Sequence, residues 1–497
     1  MAVSARKALG QFYTPAEVAE SLVSSVVRSE ADRLLDPACG DGQFLRYHRA
    51  CVGVEVSATA CLEAREAAPW ARIHNADFFR WAAETAERFE CVVGNPPFIR
   101  YQRFSGATRR IALELSRRAG ANLPALTSSW APFVAVSALL LKPGGRMAFV
   151  VPAEIGHAGY GAPLLEALCR GFERVRVVAI RRKLFPELSE DAWLLIAEGR
   201  GGRADAIGLT VWERFRAFAS PPRATRTVSL RSWLEHGRRL RKFILPDEVL
   251  AHYKWLCDLP GCVRFGDIAT IGVGYVTGAN DFFHLRPSEA RFYGVPEECL
   301  RPAIRKAEQL PERVVDRSVV ERWAGEDRPF LLLDLAGAEP LPAGVKGYLE
   351  SPAARKARKT YKCRNRRPWY VVPDVVVPDA FVSYMSGLTP RLVLNEAGCV
   401  CTNSLHCVRF NNGIRPAEVL EAWGHPLCRL SIELEGHPLG GGMLKLEPRE
   451  AANVVLPMGS EARRKAQLDL IERGIEIARQ WRHYGGNTRP GNARHSR

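Results

Sequence analysis

An amide, two prolines and an aromatic residue stand directly after an apolar run in the stretch "CVVGNPPFIR", residues 91–100. The side-chain carbonyl of Asn95 and the main-chain carbonyl of Pro96 could both accept hydrogen bonds from an amine on a planar ring, because tandem prolines restrict the backbone and remove competing N–H groups. Two such acceptors stabilise the positive charge that develops on the nitrogen when it attacks an electrophile. Phe98 could stack on the face of the same ring. The stretch therefore predicts group transfer to a planar amine, although a type I turn followed by a core aromatic residue fits the same letters.

A second motif, "DPACGDGQF" at residues 36–44, predicts a pocket for a nucleotide-like cofactor. Asp36 ends an apolar strand, and Gly40 and Gly42 allow the backbone to turn tightly against a ligand. Glu55 follows 19 positions after Asp36 at the end of the next strand, where its carboxylate could accept hydrogen bonds from two ribose hydroxyls. Only one Gly-x-Gly is present, whereas a dinucleotide fingerprint has a third glycine. The loop therefore favours an adenosine cofactor without a pyrophosphate.

S-adenosylmethionine satisfies this pattern. We expect its methionine moiety over the Gly40 to Gly42 loop, its ribose on Glu55 and its adenine near Ala76, Asp77 and Phe78, with Asp77 accepting from the adenine amine. Taken alone, a Gly-x-Gly is also compatible with an ordinary strand-to-helix turn.

These residues need a sheet whose strand ends meet at one edge, and the sequence predicts one. From residue 32 to residue 195, short apolar strands alternate with helix-like segments, which is typical of an α/β fold. A helix is predicted at "FLRYHRA", residues 44–50. A long apolar helix, a Lys-Pro-Gly-Gly stop and a fifth strand follow the amide loop, and two strands around a loop are expected to form a hairpin that closes the sheet.

The chain of 497 residues is too long for one ordinary core, so two or three domains are expected. A Gly- and Arg-rich segment at residues 199–208 ends the alternating pattern, and the basic segment 238–248 marks a second change of composition. We therefore predict an α/β domain over residues 1–240, a mixed α+β domain over residues 241–480 and a disordered basic tail over residues 481–497.

Charge and cysteine content indicate the class of partner and the compartment. The 70 Lys and Arg against 54 Asp and Glu give a net charge of +16, which suits an extended polyanion. No apolar run has the length of a signal peptide's core or of a membrane span, so a cytoplasmic protein without membrane contact is expected. The 13 cysteines form no Cys-x-x-Cys pair, and the densest cluster, with His406, lacks a usual zinc spacing, so we expect free thiols and no metal. That cluster consists of Cys399, Cys401, His406 and Cys407.

The motifs resemble, in kind and in order, those of the S-adenosylmethionine-dependent DNA adenine-N6 methyltransferases of the gamma order, the TaqI-like enzymes. In family order the matching segments are "GQFYTP" (10–15, motif X), "DPACGDG" (36–42, motif I), Glu55 (motif II), "NADFF" (75–79, motif III), "NPPF" (95–98, motif IV) and "KLFPEL" (183–188, motif VIII). The resemblance covers residues 10–200 and weakens beyond them, where segments such as "GVGYVTGANDFFHL" look like the target-recognition half of the same proteins. Family members more often have Tyr where this sequence has Phe98.

The resemblance implies a Rossmann-like class I methyltransferase domain with a mostly parallel seven-stranded sheet, followed by an α+β target-recognition domain. It implies methyl transfer to the exocyclic amine of an adenine that is flipped out of duplex DNA and held between Phe98 and Phe185, although Phe185 could instead be a core residue. The implied catalytic residues are Asn95, Pro96, Phe98 and Phe185, and the implied cofactor-binding residues are Thr14, Asp36, Ala38, Gly40, Gly42, Glu55, Asp77, Phe78 and Asn95.

A burst of basic residues in the second half, "RKARKTYKCRNRRPW", predicts contact with DNA phosphates. A solvated basic face would have the same composition. The predicted DNA-binding residues are Arg355, Lys356, Arg358, Lys359, Arg364, Arg366 and Arg367.

Other functions are open on the same residues. An RNA or protein-glutamine methyltransferase could use the same amide loop, but the N-terminal "FYTP" and the basic second half favour DNA. A non-catalytic DNA-binding specificity subunit is disfavoured because both loops are intact. No Pro-Asp…Asp/Glu-x-Lys nuclease pattern is evident, so we expect a modification enzyme of a restriction-modification or related defence system, monomeric on DNA, with any restriction endonuclease a separate chain.

Overall fold

The computed structural model describes residues 14–186 and 191–484. The chain divides into two compact units, Met1–Ile244 and Leu245–Arg497, so the division lies four residues beyond the predicted boundary.

Unit 1 is built on one sheet, to which the described residues contribute nine strands in the order β3-β2-β1-β4-β5-β7-β6-β8-β9. The strands are β1 (Leu34–Asp36), β2 (Cys51–Glu55), β3 (Arg72–Asn75), β4 (Phe89–Gly94), β5 (Leu141–Pro152), β6 (Phe172–Ile180), β7 (Ala192–Arg200), β8 (Ala206–Trp212) and β9 (Arg226–Ser229). The first five strands of this order, β3, β2, β1, β4 and β5, are parallel. Strand β7 lies between β5 and β6 and is antiparallel to both. The prediction of a Rossmann-like α/β domain with a mostly parallel sheet is confirmed, but the sheet has nine described strands instead of the predicted seven.

Helices cover the sheet, which explains why β1 and β2 are buried along their whole length and read as continuous apolar runs. The helices of unit 1 are α1 (Ala16–Val26), α2 (Ala58–Ala67), α3 (Phe78–Glu84), α4 (Gly106–Arg118), α5 (Trp130–Leu139), α6 (Gly161–Gly171) and α7 (Leu230–Glu235), with 3₁₀ turns at Leu45–Tyr47, Ala153–Gly156 and Leu240–Ile244. The apolar face of α1 packs on the inner residues of β1, β4, β5 and β7 to form a core.

The sheet differs from the prediction at its far edge. The β6–β7 hairpin forms as predicted, but it does not close the sheet, because β8 pairs parallel with β6 and β9 pairs antiparallel with β8. Strand β8 begins inside residues 199–208. Their Gly- and Arg-rich composition indicates a break in regular structure, so the sequence does not predict this strand.

Two local predictions in unit 1 are wrong. Residues 44–50 form a single 3₁₀ turn, Leu45–Tyr47, instead of an α-helix, because only 14 residues separate the end of β1 from the start of β2. The Lys-Pro-Gly-Gly segment does not precede β5 but lies within it, where the pairing of β4 with β5 shifts register between Phe89 and Cys91.

Unit 2 is a mixed α+β unit with several small sheets, as the loss of alternation after residue 240 indicates. Its described strands are β10 (Cys262–Arg264), β11 (Ala269–Val273), β12 (His284–Leu285), β13 (Leu300–Ile304), β14 (Val314–Val315), β15 (Leu331–Leu333), β16 (Ala380–Ser383), β17 (Met385–Ser386), β18 (Leu392–Asn395), β19 (Val400–Cys401), β20 (Leu405–Phe410), β21 (His437–Pro438), β22 (Leu444–Lys445) and β23 (Val455–Pro457). They form sheets in the orders β11-β20-β16-β18-β14, β12-β15-β13-β19, β17-β22-β21 and β10-β23.

Helices and 3₁₀ turns connect these strands. The helices are α8 (Asp247–Cys257), α9 (Phe265–Ile268), α10 (Asn280–Phe283), α11 (Pro287–Tyr293), α12 (Arg317–Gly325), α13 (Ala343–Leu349), α14 (Pro352–Arg358), α15 (Tyr361–Arg364), α16 (Pro416–Gly424), α17 (Pro426–Glu435), α18 (Pro448–Asn453), α19 (Ser460–Lys465) and α20 (Leu468–Gln480). The 3₁₀ turns are Glu297–Cys299, Ala307–Gln309 and Gly440–Gly442. Among residues 14–186 and 191–484, no helix combines the length and apolar composition needed to cross a membrane.

The predicted tail begins too early. Arg482 is 1% exposed, and its guanidinium donates to both carboxylate oxygens of Glu433 on α17, at 2.9 and 2.8 Å. Trp481 is also buried. The packed chain therefore extends through these residues, and the rest of the predicted tail, from residue 485, lies outside the described residues.

Candidate functional site

A cleft opens in unit 1 where β1, β2 and β4 end. It encloses about 1150 Å³, including the part open to solvent. Its position at the carboxyl ends of parallel strands is the usual ligand site of an open α/β sheet. The cleft is lined by Thr14, Pro37, Ala38, Cys39, Gly40, Asp41, Gln43, Phe44, Val54, Glu55, Val56, Ala60, Ala76, Asp77, Phe78, Phe79, Asn95, Pro97, Ile99, Phe104, Thr108, Ser129 and Phe133.

The glycine loop after β1 forms one wall of the cleft. Gly42 has a φ of +82°, and a Cβ there would lie 3.0 Å from the Cα of Ala64, so the tight turn requires glycine. Gly40 also has a positive φ and lines the cleft, whereas Gly42 sits behind the loop against α2. The loop therefore brings backbone close to any ligand in the cleft.

Glu55 is fixed at the end of β2 by backbone donors. The Gly40 N–H donates to Glu55 Oε2 at 3.1 Å and the Ser57 N–H donates to Oε1 at 2.8 Å. The carboxylate lines the cleft although the residue is only 5% exposed. A carboxylate oxygen can accept more than one hydrogen bond, so a ligand hydroxyl could donate to Glu55, as the sequence predicts for a ribose-binding acid.

Asp77 has a structural role that the sequence did not predict. Its Oδ1 accepts from the Arg80 N–H at 3.0 Å and caps α3, and its Oδ2 accepts from the Thr108 hydroxyl at 3.1 Å. The Thr108 contact joins residues 31 positions apart, so no local pattern reveals it. The carboxylate still lines the cleft, where an adenine amine could donate to it.

Aromatic rings form the apolar wall beside Asp77. Phe78 stacks on Phe133 with ring centroids 5.0 Å apart and planes 15° apart, and Phe79 meets Phe133 edge to face at 4.6 Å. Phe133 was not predicted, because within the apolar helix α5 it reads as a core residue. The donor and acceptor set, the flat apolar wall and the glycine loop together fit an adenosine cofactor that carries an amino acid.

Asn95 reaches the cleft from the loop after β4. Its Nδ2 donates to Thr14 Oγ1 at 3.2 Å, and both side chains line the cleft. Thr14 is 5% exposed, and the residues before it in the "GQFYTP" motif lie outside the described residues. The bond gives the amide a defined orientation at the edge of the cofactor cleft.

Ser129, which the sequence also did not predict, contacts the same loop on both sides of Phe98. The Ser129 hydroxyl donates to the Pro97 carbonyl and accepts from the Ile99 N–H at 3.0 Å, while the Ser129 N–H donates to the Ile99 carbonyl at 3.0 Å. A serine before an apolar helix reads as an ordinary N-cap, but here the hydroxyl bonds a distant loop and makes no capping bond to α5.

Besides Gly42 and Phe185, three predicted site residues lie outside the cleft lining. Asp36 is fully buried behind the loop, where its Oδ1 accepts from the Ala38 N–H at 3.1 Å. Burial, together with the nearby carboxylates of Glu55 and Asp41, raises the pKa of Asp36 to about 8. The other two are Pro96 and Phe98, on the amide loop; Pro96 is buried and Phe98 is half-buried.

Phe185 is not where a base-stacking ring must be. It is 2% exposed and packs in the unit 1 core with Ile180, Leu184 and Leu194. Since neither ring face is open to a planar ligand, the assignment of Phe185 as a stacking residue is corrected to a core role. The last two residues of its motif, at positions 187 and 188, lie outside the described residues.

The predicted basic segment forms one exposed face of unit 2. Helix α14 buries Ala354 and Ala357 and directs its cations to solvent. Six of the seven predicted residues are exposed, and none of these six forms an ion pair with any described residue; they are Arg355, Lys356, Arg358, Lys359, Arg364 and Arg367. Arg366 differs, because its guanidinium donates to the Val276 carbonyl and lies 5.9 Å from the Phe283 ring. Arg366 is thus an anchor within unit 2.

The cysteine cluster forms no metal site. Cys401 and Cys407 are buried thiols with sulfurs 3.4 Å apart, and His406 Nε2 lies 2.6 Å from the Leu446 carbonyl. Within residues 14–186 and 191–484 no group of three or more His, Cys, Asp or Glu is arranged to hold a metal ion.

Three family models match the chain and together take in residues 1–180 and 238–482. Residues 1–60 match N-6 DNA Methylase, residues 61–180 match Eco57I restriction-modification methylase, and residues 238–482 match the C-terminal domain of Type II methyltransferase M.Eco57I.

Individual relatives agree with these models. The chain is 19% identical to Type II methyltransferase M.AccI of Acinetobacter calcoaceticus over 90% of this chain and 84% of the relative. It is 31% identical to Type II methyltransferase M.TthHB8I of Thermus thermophilus over 30% of this chain and 35% of the relative. Among solved structures, the type IIG restriction endonuclease BpuSI aligns with a TM-score of 0.43 at 15% identity, over 95% of this chain and 65% of that one. Over residues 1–180 and 238–482 the chain is therefore similar to N6-adenine DNA methyltransferases of restriction-modification systems.

Proposed function

We propose that this protein transfers a methyl group from S-adenosylmethionine to the exocyclic N6 of one adenine in a specific duplex DNA sequence. The observation that carries the proposal is the placement of Asn95, which lies at the edge of the cofactor cleft with its amide bonded to Thr14. The motif order, from Thr14 through the glycine loop to the amide loop and then a separate second unit, supports the gamma order.

The residues that would hold the cofactor line the unit 1 cleft. Glu55 would accept from the ribose hydroxyls, Asp77 would accept from the adenine amine, and Phe78 would cover the adenine ring. The backbone of Ala38 and Gly40 would border the methionine moiety. S-adenosylmethionine supplies an electrophilic methyl group bonded to a sulfonium.

The amide loop would act on the acceptor. An adenine amine is a weak nucleophile because its lone pair is delocalised into the ring. The Asn95 side-chain oxygen and the Pro96 carbonyl would each accept a hydrogen bond from one of its two N–H groups. Both acceptors become more favourable as positive charge develops on nitrogen, so they lower the barrier. No base is needed before transfer, since the nitrogen loses its proton only after it has become cationic.

The target adenine must leave the duplex to reach this loop. With Phe185 buried in the core, Phe98 is the ring of the predicted pair that we assign to stacking on the extruded base. The tandem prolines and Ser129 would fix where that ring points.

Two exposed sets of cations support DNA as the polyanion. One is the α14–α15 face of unit 2. The other is in unit 1: Arg103 is in the turn between Ile99 and Phe104, which both line the cleft, and Arg110 is on α4. Arg103 and Arg110 are exposed, and neither forms an ion pair within the described part of the chain. A phosphate next to an extruded base would meet Arg103 there.

The protein would then be the modification enzyme of a restriction-modification or related defence system, acting as a monomer on DNA, with the restriction endonuclease a separate chain. Sequencing DNA from expressing cells with a method that detects N6-methyladenine would give the target sequence. Purified protein and labelled S-adenosylmethionine should then methylate that duplex and not RNA or protein.

Asn95→Ala tests the assigned chemistry. We expect it to abolish transfer while duplex binding remains within about twofold of wild type. Full activity of Asn95→Ala would refute the mechanism, and transfer to RNA or protein in place of duplex DNA would favour the alternative substrates.

A further inference from the structure

We propose that Ser129 is a positioning residue that fixes the backbone on both sides of Phe98 and thereby sets the geometry of the acceptor loop. The proposal rests on the proposed function. Ser129 makes three hydrogen bonds to this loop: to the Pro97 carbonyl, from the Ile99 N–H and to the Ile99 carbonyl. Two of them use its hydroxyl, once as donor and once as acceptor.

The loop depends on this residue because it has few means of holding itself. Residues 95–100 belong to no helix or strand. Pro96 and Pro97 have no N–H, so they cannot donate to neighbouring backbone. The Ile99 N–H is therefore one of the few donors the loop has, and it is given to Ser129.

Ser129 is itself held by a buried network. It is 1% exposed and directly precedes α5, whose first residue is Trp130. The Trp130 indole N–H donates to Glu154 Oε1 at 2.7 Å, and the Tyr160 hydroxyl donates to the same oxygen. The start of α5 is thus fixed to the segment that follows β5, and Ser129 transmits that fixed position to the amide loop.

The consequence for catalysis follows from the precision that transfer requires. Methyl transfer depends on the distance between the adenine nitrogen and the methyl carbon, and a displacement of about 1 Å can cost about 100-fold in rate. Loss of the two Ser129 hydroxyl bonds to Pro97 and Ile99 would let the loop move, so that Phe98 and the Pro96 carbonyl shift by distances of that order.

The same helix offers a matched control. Ser137 is also a buried serine of the α5 segment, but its hydroxyl has no hydrogen-bond partner among the described residues. Ser129→Ala and Ser137→Ala therefore make the same chemical change at two buried sites, and only the first removes bonds to the loop.

Hydrogen–deuterium exchange tests the contact without relying on activity. In peptides covering residues 95–104, Ser129→Ala should exchange at least tenfold faster than wild type at the Ile99 amide, and Ser137→Ala should not. Unchanged exchange in Ser129→Ala would overturn the proposal even if the wild-type protein methylates no DNA, so this outcome is distinct from failure of the proposed function.

Kinetics then test the consequence. With the target duplex, kcat of Ser129→Ala should fall about 10- to 100-fold, while Kd for S-adenosylmethionine by calorimetry and Kd for the duplex stay within twofold. Ser129→Thr, which keeps the hydroxyl, should restore most of kcat, and Ser137→Ala should leave kcat unchanged. A proportionate loss of S-adenosylmethionine binding would make Ser129 a cofactor contact and overturn the positioning role. If Ser129→Ala does not fold, Ser129→Cys replaces it, and a wild-type kcat in that variant overturns the proposal.

Discussion

Asn95 Nδ2 donates to Thr14 Oγ1 over 3.2 Å, and this bond joins the loop after β4 to the chain just before α1. The two residues are 81 positions apart and both line the cofactor cleft. The bond places the nitrogen of the Asn95 amide and therefore sets where its oxygen points.

Thr14→Val should lower kcat about fivefold, because loss of one buried hydrogen bond costs about 1 kcal/mol and removes one constraint on the orientation of the Asn95 amide. Thr14→Ser keeps the acceptor and should retain most of the activity. Steady-state methyl transfer checks this, with calorimetry of S-adenosylmethionine binding alongside, since Thr14 also lines the cofactor cleft. A wild-type kcat in Thr14→Val would show that the bond does not matter.

Phe98→Ala should weaken capture of the extruded adenine, since one base–aromatic stack contributes about 1–3 kcal/mol. That range corresponds to about a 5- to 150-fold loss in kcat/KM for DNA. Phe98→Tyr keeps the ring and should be close to wild type. Fluorescence of 2-aminopurine at the target position measures the stacking directly, and equal emission from wild type and Phe98→Ala would argue against contact with the base.

Phe185→Ala should act on stability, because the ring is 2% exposed in the unit 1 core. Truncating a buried Phe typically lowers the free energy of unfolding by about 3–5 kcal/mol. Urea denaturation measures this, and Phe98→Ala, on a half-buried loop residue, should lose much less. If Phe185→Ala keeps its stability but loses 2-aminopurine quenching, a stacking role for Phe185 would be restored.

Asp36→Asn should change how stability depends on pH. The pKa of Asp36 is raised from 3.8 to about 8, mainly by burial, so between about pH 4 and pH 8 the folded chain holds a proton that the unfolded chain has released. The free energy of unfolding of the wild type should therefore fall through that window as pH rises. In Asp36→Asn this fall should be smaller, as urea denaturation at pH 5, 7 and 9 would show.

Asp32 provides a control of opposite sign for that experiment. Burial would raise its pKa, but the Arg28 N–H at 2.9 Å and the Arg146 guanidinium at 2.7 Å hold it below the usual value. Its contribution to stability is present above about pH 4 and is lost as pH falls through the lowered pKa, so Asp32→Asn should destabilise across pH 5 to 9.

For Asp36, the free energy of unfolding of wild type and of Asp36→Asn should depend differently on pH. The same pH dependence in both proteins would show that the pKa of Asp36 is not raised in the folded chain.

Neutralising two cations of the α14 face should weaken DNA binding and its salt dependence. Removing one phosphate contact lowers the slope of log K against log salt by about 0.9, so Arg355→Ala with Arg358→Ala should lower it by about 1.8. Arg322→Ala is the control, because it also removes one positive charge from an exposed arginine, on α12. An unchanged slope in the double variant would remove this face from the interface.

The parts of the molecule that could be predicted from sequence are those whose signal is local. β1, β2 and β4 are buried on both faces and therefore read as apolar runs, and Gly40 and Glu55 stand at their ends. Since parallel strands bring their carboxyl ends to one edge, placing these residues together needed only the strand order.

The parts that could not be predicted depend on contacts between distant segments. Ser129, Thr108 and Phe133 reach the site across about 30 or more residues, and each has an ordinary local interpretation as a cap, a helix residue or a core residue. Phe185 illustrates the converse, because an aromatic residue after a strand looks the same whether its ring faces a ligand or the core.

The 3₁₀ turn Leu45–Tyr47 has a consequence for which metabolites the cleft admits. A glycine loop that leads into an α-helix offers the helix's N-terminal N–H groups to a phosphate, and this one leads only into a single turn. At α3 the Asp77 carboxylate already occupies the N-terminal position where a phosphate would sit. Asp77, Glu55 and Asp41 place three acidic side chains in the cleft lining, so we expect the cleft to disfavour ATP, NAD and other phosphorylated nucleotides and to favour a cationic sulfonium.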